Sequence, residues 1–389
     1  MKRSRISARL REVKPSDIRR LFSLAQSLPG VISLGIGEPD SMPPPHVIGA
    51  AKRALDEGRT HYTPTAGIRE LREALTRKAK RDYGLSYDPE SEVVVTIGGT
   101  EAIFLAMLTL IDPHDEVLIP DPGFICYSPC TLMAEGVPVS MPISEENDFA
   151  LDAETVMPLI TEKSRVIIIN SPSNPTGSVL SHDVLAGLAK LAVDCDLVVI
   201  SDEVYEKVTY DGVKHHCLAT FPGMRERTIV VNSFSKTYAM TGLRVGYALG
   251  PKELIAPMML THQFTTACVS GPAQHAAISA LEGPQKFVGD MVQEFDRRRR
   301  FLHTRLNEIE GFRCGLPQGA FYIFASIQGF ESSSTKFADY LLNKAKVVTV
   351  PGSVFGECGE GYLRFSYAAA YSEIEEALDR VKEAVKGFG

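Results

Sequence analysis

The 389-residue chain has no tryptophan, and no apolar run in it reaches the length needed to cross a bilayer. The longest such run, 103–111, is already broken by Thr109. It also lacks a disulfide pattern. Its seven cysteines are odd in number, none forms a C-x-x-C pair, and Cys126 and Cys130 have no histidine at metal-binding spacing. We therefore expect no disulfide framework and no metal site, but reduced, mostly buried thiols in a cytoplasmic protein. Nor is there an excess of positive charge. A formal net charge of -7 gives no general attraction to nucleic acid or to an anionic membrane. The first twenty residues are the exception, with eight Lys/Arg against two acids. They are expected to form a solvated arm leading into a helix over 16–27, an RNA-binding tail being the alternative. No apolar stretch follows MKRSRISARLREV, so the start does not read as a signal peptide. With 44% hydrophobic and 23% charged residues, the chain can build a large core shared by two or three domains.

What is present is a repeated pattern. Apolar strands of four to six residues end at Ile97, Asn170, Ile200 and Val231, and helical segments long enough for right-handed crossovers lie between them. Continuous apolar runs of this kind suit a parallel sheet covered on both faces. Polar groups follow just beyond the strand ends: Gly98, Gly99 and Thr100, then Asn174, Asp202 and Lys236. Ligands of such sheets bind at the carboxyl ends of the strands. Gly98, Gly99 and Thr100 lie between a strand over 92–97 and a helix over 101–111, an arrangement that can cradle an anion. The strand over 244–249 follows its predecessor without a crossover helix and is expected to run antiparallel to it. Gly35 and Gly37 suggest a dinucleotide fingerprint, but Asp40 holds the place of the third glycine and Pro43, Pro44 and Pro45 follow where a helix should open. The charged EFDRRRRFLHTRL segment spreads Arg297 to Arg300 around a helix, which reads as solvated charge.

The densest chemistry lies in 232–247, NSFSKTYAMTGLRVGY. Lys236 sits among hydroxyl and small residues, with Ser233 and Ser235 before it and Arg244 after. A buried amine beside hydroxyls and a guanidinium is costly unless an anion and an electrophile bind there. Pyridoxal phosphate offers both, a phosphate for Ser233, Ser235 and Arg244 and an aldehyde for Lys236. Arg364, inside the apolar strand of GYLRFSYA, needs an anionic partner, and a substrate α-carboxylate fits its guanidinium fork.

SFSKTYAMTGLRVG resembles the lysine-attachment motif of class I/II (fold-type-I) pyridoxal-phosphate-dependent aminotransferases of the aspartate/aromatic kind. The resemblance runs in order from LGIGEPD through NPTG and SDEVY to YLRFSYA. It implies an α/β fold, in which a large domain carries a mostly parallel seven-stranded sheet covered by helices and a smaller α/β domain is built from the two chain ends. We place an arm and part of the small domain in 1–45, the cofactor domain in 46–285 and the rest of the small domain in 286–389. The resemblance implies Lys236 as the catalytic residue, with Asp202 on the pyridine nitrogen, Tyr205 and Asn174 on the ring 3-oxygen and Phe124 stacked on the ring. Gly98, Gly99, Thr100, Ser233, Ser235 and Arg244 would meet the phosphate, joined by Tyr62 from the neighbouring subunit of a homodimer. Gly37, Asn174 and Arg364 would hold the substrate carboxylate. The implied activity is ping-pong exchange of an amino group between an L-amino acid (aspartate, aromatic or alanine) and a 2-oxo acid such as 2-oxoglutarate. The same motifs are compatible with β-elimination by a carbon–sulfur lyase or other chemistry at Cα, and a cofactor-binding regulator without catalysis is a third reading.

Overall fold

The computed structural model describes residues 5–13, 28–330 and 333–388, so the helix expected over 16–27 lies outside the described residues. Twelve strands run in chain order among them: β1 Ile32–Ser33, β2 Val93–Thr96, β3 Glu116–Asp121, β4 Val137–Pro142, β5 Ser164–Asn170, β6 Val198–Asp202, β7 Thr228–Ser233, β8 Gly246–Leu249, β9 Tyr322–Ser326, β10 Val347–Val348, β11 Val350–Pro351 and β12 Tyr362–Ser366. Seven of them form one mixed sheet in the order β2-β8-β7-β6-β5-β3-β4. Its parallel part runs from β7 to β4, and β8 is antiparallel to both β7 and β2, as the missing crossover required.

The continuous apolar runs follow from burial on both faces. In β5, Val166 and Ile168 pack into a cluster with Ala102, Ile103, Leu105 and Ala106 of helix Gly98–Leu110. Ile167 and Ile169 point the other way, toward Leu185, Leu188 and Leu191 of helix His182–Asp194. Strict alternation is lost in sequence because neither face meets water. Helix His182–Asp194 starts where Ser181 accepts a hydrogen bond from the Val184 amide. The segment 152–160 is only partly α-helical. Asp152 caps Ala153–Val156, and a single 3-10 turn, Met157–Leu159, follows. Pro158 has no N–H to continue the ladder.

The remaining strands lie elsewhere. β1 pairs in parallel with β10, and β11-β12-β9 form a three-stranded antiparallel sheet. The N-terminal strand therefore joins elements more than 300 residues later, Ile32 opposite Val347. Around β9 and β12, Phe321, Ile323, Leu363 and Phe365 pack on Phe295 and Leu302 of the long helix Lys286–Asn307.

That helix corrects one expectation. Arg297 and Arg300 are exposed, but Arg298 and Arg299 are buried. Arg299 bonds the Pro317 carbonyl at 2.6 Å and Asp211 at 2.7 Å, while Arg298 reaches Glu294, Asp40 and the Ala369 carbonyl. The two buried cations are thus matched by carboxylates and carbonyls, as buried charge requires. None of the seven cysteines forms a disulfide; Cys130, Cys217 and Cys314 are buried and Cys358 is exposed. Among the described residues no helix is long and apolar enough to cross a membrane.

Candidate active site

The carboxyl ends of β5, β6 and β7 open into one cavity. Its walls include Gly37, Gly99, Thr100, Phe124, Asn174, Asp202, Tyr205, Ser233, Ser235, Lys236, Arg244 and Arg364. These are twelve of the fourteen residues singled out in the sequence. Gly98 and Tyr62 are the other two.

Gly98 is not on the cavity wall. It opens helix Gly98–Leu110 rather than preceding it, with a left-handed φ of 74°. A Cβ there would lie 2.5 Å from Arg244 Nη2, so the missing side chain is what admits the guanidinium. Gly246 plays the same part on the facing strand, since a Cβ would come within 2.6 Å of the Gly99 amide nitrogen. The helix thus presents its first amides, which have no acceptor inside the helix, beside Arg244 and the Ser233–Ser235 pair. Ser233 and Ser235 hydroxyls lie 2.8 Å apart. Arg244 itself has φ 54° and donates to the Thr241 carbonyl at 2.9 Å. Tyr62 is 91% exposed and lies with His61 beside Cys268, Ser270 and Pro272, so it does not reach the cavity of its own chain.

Lys236 comes from the short helix Phe234–Thr237 at the end of β7 and donates to the Gly37 carbonyl at 2.6 Å. Burial, then the positive charges of Arg364 and Arg244, lower its pKa to about 8. Glu38 and Asp202 pull the other way. Asp202, at the end of β6, is 2% exposed, and burial raises its pKa to about 6. The Tyr127 hydroxyl, 2.7 Å from Asp202 Oδ2, holds it down from a higher value. At neutral pH the carboxylate is mostly ionised and the amine mostly charged, with a sizeable neutral fraction. Phe124 meets Tyr127 edge-on, ring centres 5.6 Å apart.

Arg364 in β12 is 2% exposed. Its Nη1 donates to Asn174 Oδ1 at 2.8 Å and its Nη2 to the Gly35 carbonyl at 2.7 Å, both neutral acceptors. Its buried Nε has no hydrogen-bond partner in the protein. The guanidinium lies 4.2 Å from the Tyr322 ring centre and 4.9 Å from that of Phe355.

Three residues escaped the sequence reading. Tyr322 lines the cavity, and its hydroxyl lies 2.8 Å from that of Tyr205. Asn170 accepts from the Asn174 amide at 2.9 Å and donates to the Asp202 carbonyl at 3.0 Å, joining the NPTG turn to the end of β6. Tyr127 is fully buried and bonds Asp202 directly. An asparagine ending an apolar strand was a usable signal for Asn170. A tyrosine inside an apolar strand carried none for Tyr322.

The family model for aminotransferase class I and II matches residues 29–381. The chain is 45% identical to aromatic-amino-acid aminotransferase 2 of Thermococcus litoralis and 46% identical to aspartate aminotransferase of Pyrococcus abyssi, each over 98% of both chains. The fold is similar to that of Thermus thermophilus aspartate aminotransferase with maleate, with a TM-score of 0.94, 38% identity, and 98% of this chain and 100% of that one covered.

Proposed function

The chain belongs to the class I and II aminotransferases, and from that premise we propose that it exchanges an amino group between an L-amino acid and a 2-oxo acid, with pyridoxal 5′-phosphate held at Lys236. One observation carries this reading. A part-buried amine, a buried carboxylate and two guanidiniums, Lys236, Asp202, Arg244 and Arg364, converge on one cavity from the 232–247 stretch, β6 and β12. The donor set fits that cofactor. Helix amides, paired serine hydroxyls and Arg244 form a cradle for a dianion. Asp202 offers a negative partner to a ring nitrogen, and Tyr205 and Asn174 offer donors to a ring oxygen.

When bound, the cofactor supplies an aldehyde for the lysine and a ring that takes up the electron pair left at the substrate Cα. The protein does the rest. Ionised Asp202 keeps the ring nitrogen protonated, and Tyr127 keeps Asp202 ionised. Arg364 and Asn174 fix the substrate carboxylate and so orient its Cα–H bond. Lys236 moves the proton, because an amine whose pKa lies near 8 can both take and return it at neutral pH. Relatives named for aspartate and aromatic amino acids support those donors, with 2-oxoglutarate as the acceptor to try first. Exposed Tyr62 supports a homodimer in which it serves the neighbouring site. Seven cysteines without a disulfide among them support a cytoplasmic location.

Borohydride reduction of the loaded protein, followed by peptide mass mapping, tests the assignment. The label is expected on Lys236 alone; a label elsewhere, or none, refutes it. A panel of amino donors scored by glutamate formed from 2-oxoglutarate tests the reaction. Pyruvate and ammonia released from cystathionine would instead identify a carbon–sulfur lyase.

A further inference from the structure

We propose that His262 is a positioning residue for the cofactor phosphate, acting through Glu101; this rests on the pyridoxal-phosphate reading above. The puzzle is Glu101. It lies in the first turn of helix Gly98–Leu110, directly after the amides that face the anion. A carboxylate suits a helix N-terminus by itself, but it competes with any other anion that docks there.

The structure turns this carboxylate away. Glu101 Oε2 accepts the Ile97 amide at 2.6 Å, one residue before the helix begins. Its Oε1 accepts from His262 Nδ1 at 3.1 Å and from the Thr266 hydroxyl. His262 belongs to helix Lys252–Thr265 and is completely buried, and Thr266 ends that helix. Burial works against ionisation of Glu101, yet the bonds from His262, Thr266 and Ile97 together hold its pKa below the usual carboxylate range. The group is therefore charged, saturated with donors and tied to a neighbouring helix. The amides of Gly99 and Thr100 are left for the phosphate.

The tie matters because of what lies across from it. Thr100, Glu101, Thr265, Thr266 and Arg244 line one cleft beside the main cavity. A carboxylate released from His262 faces the guanidinium that the phosphate needs. It would repel the dianion and pair with Arg244 in its place. His262 thus keeps an internal anion from occupying the seat of an external one. The His262 Nε2, buried without a protein partner, shows that the ring's one hydrogen bond is spent on Glu101.

The test compares pyridoxal phosphate with pyridoxal, which lacks the phosphate, in equilibrium binding to the cofactor-free protein followed by absorbance. His262→Leu is expected to weaken pyridoxal phosphate about tenfold, the loss typical of one hydrogen bond to a buried charged group, and to leave pyridoxal unchanged. His262→Asn, which keeps an N–H near the Nδ1 position, is expected to bind like the parent. Adding Glu101→Gln to His262→Leu should recover most of the lost affinity by removing the charge. Thr266→Val, at a partly exposed position, gives a smaller phosphate-specific loss and serves if His262→Leu does not fold. Equal weakening of both ligands, or no recovery in the double variant, overturns the proposal. A parent protein that does not prefer pyridoxal phosphate over pyridoxal overturns the cofactor reading itself, a separate result.

Discussion

Replacing Arg364 by leucine should separate binding of the α-carboxylate from everything else the site does. The guanidinium is buried and bonded only to the neutral oxygens of Asn174 and Gly35, so its charge is available to a substrate anion. Removing one partner of a buried ion pair costs ~3–5 kcal/mol, because the other charge is left in a poor solvent. At ~1.4 kcal/mol per factor of ten this is a loss of roughly 10²- to 10⁴-fold in kcat/KM for an L-amino acid. The control is the corresponding amine without its carboxyl group. It makes no use of Arg364, so its slow reaction should change little. Arg364→Lys keeps a charge but not the two parallel bonds, and should fall between parent and leucine variant. The cofactor-free leucine variant should melt no lower than the parent, since a buried cation matched only by dipoles is not a source of stability. A loss of less than about tenfold for the amino acid, or an equal fall for the amine, refutes this role of Arg364.

Two other expectations concern different parts of the site. Tyr127→Phe removes the hydrogen bond that lowers the Asp202 pKa, so that pKa rises above its value of about 6. The ionised form is the active one, so the acid limb of the pH–rate profile should move to higher pH while the plateau above it is kept; an unmoved limb contradicts the role of Tyr127. Tyr62→Ala should change folding stability by no more than ~0.5 kcal/mol, because the ring is exposed, yet should weaken cofactor retention. If the proposed homodimer forms, mixing Tyr62→Ala with inactive Lys236→Ala protein and allowing the subunits to exchange should raise cofactor retention and activity above those of Tyr62→Ala alone, since one site of each hybrid is intact; no gain argues against a shared site.

The sequence made the sheet legible because its strands are buried on both faces and so stand out as unbroken apolar runs. It also showed that β8 reverses direction, through the short gap after Val231. The polar residues collected at those strand ends do meet in one cavity. What stayed hidden depends on contacts between distant segments. Tyr322 looked like core, because only the tertiary fold brings its hydroxyl to Tyr205 and its ring under Arg364. Arg298 and Arg299 looked solvated, because their partners Asp40, Asp211 and Pro317 are remote or irregular in sequence. Gly98 read as part of the cradle, and nothing in the sequence shows that it leaves room for a side chain 146 residues later, from position 98 to position 244.

The position of β8 has a consequence for the nascent chain. Val93 finds its neighbour only at Leu249, so the short valine strand leaves the ribosome well ahead of the segment that covers its edge. At ~5–20 residues per second the delay is roughly 10–30 s, ample time for an apolar strand with open backbone groups to meet another chain. A polypeptide released at residue 233 could still pair β3 through β7 side by side. It would lack the antiparallel strand that covers β2, and Lys236, Arg244 and Arg364 would not have been made. Premature release should therefore yield a sticky, partly ordered sheet that cannot hold a ligand.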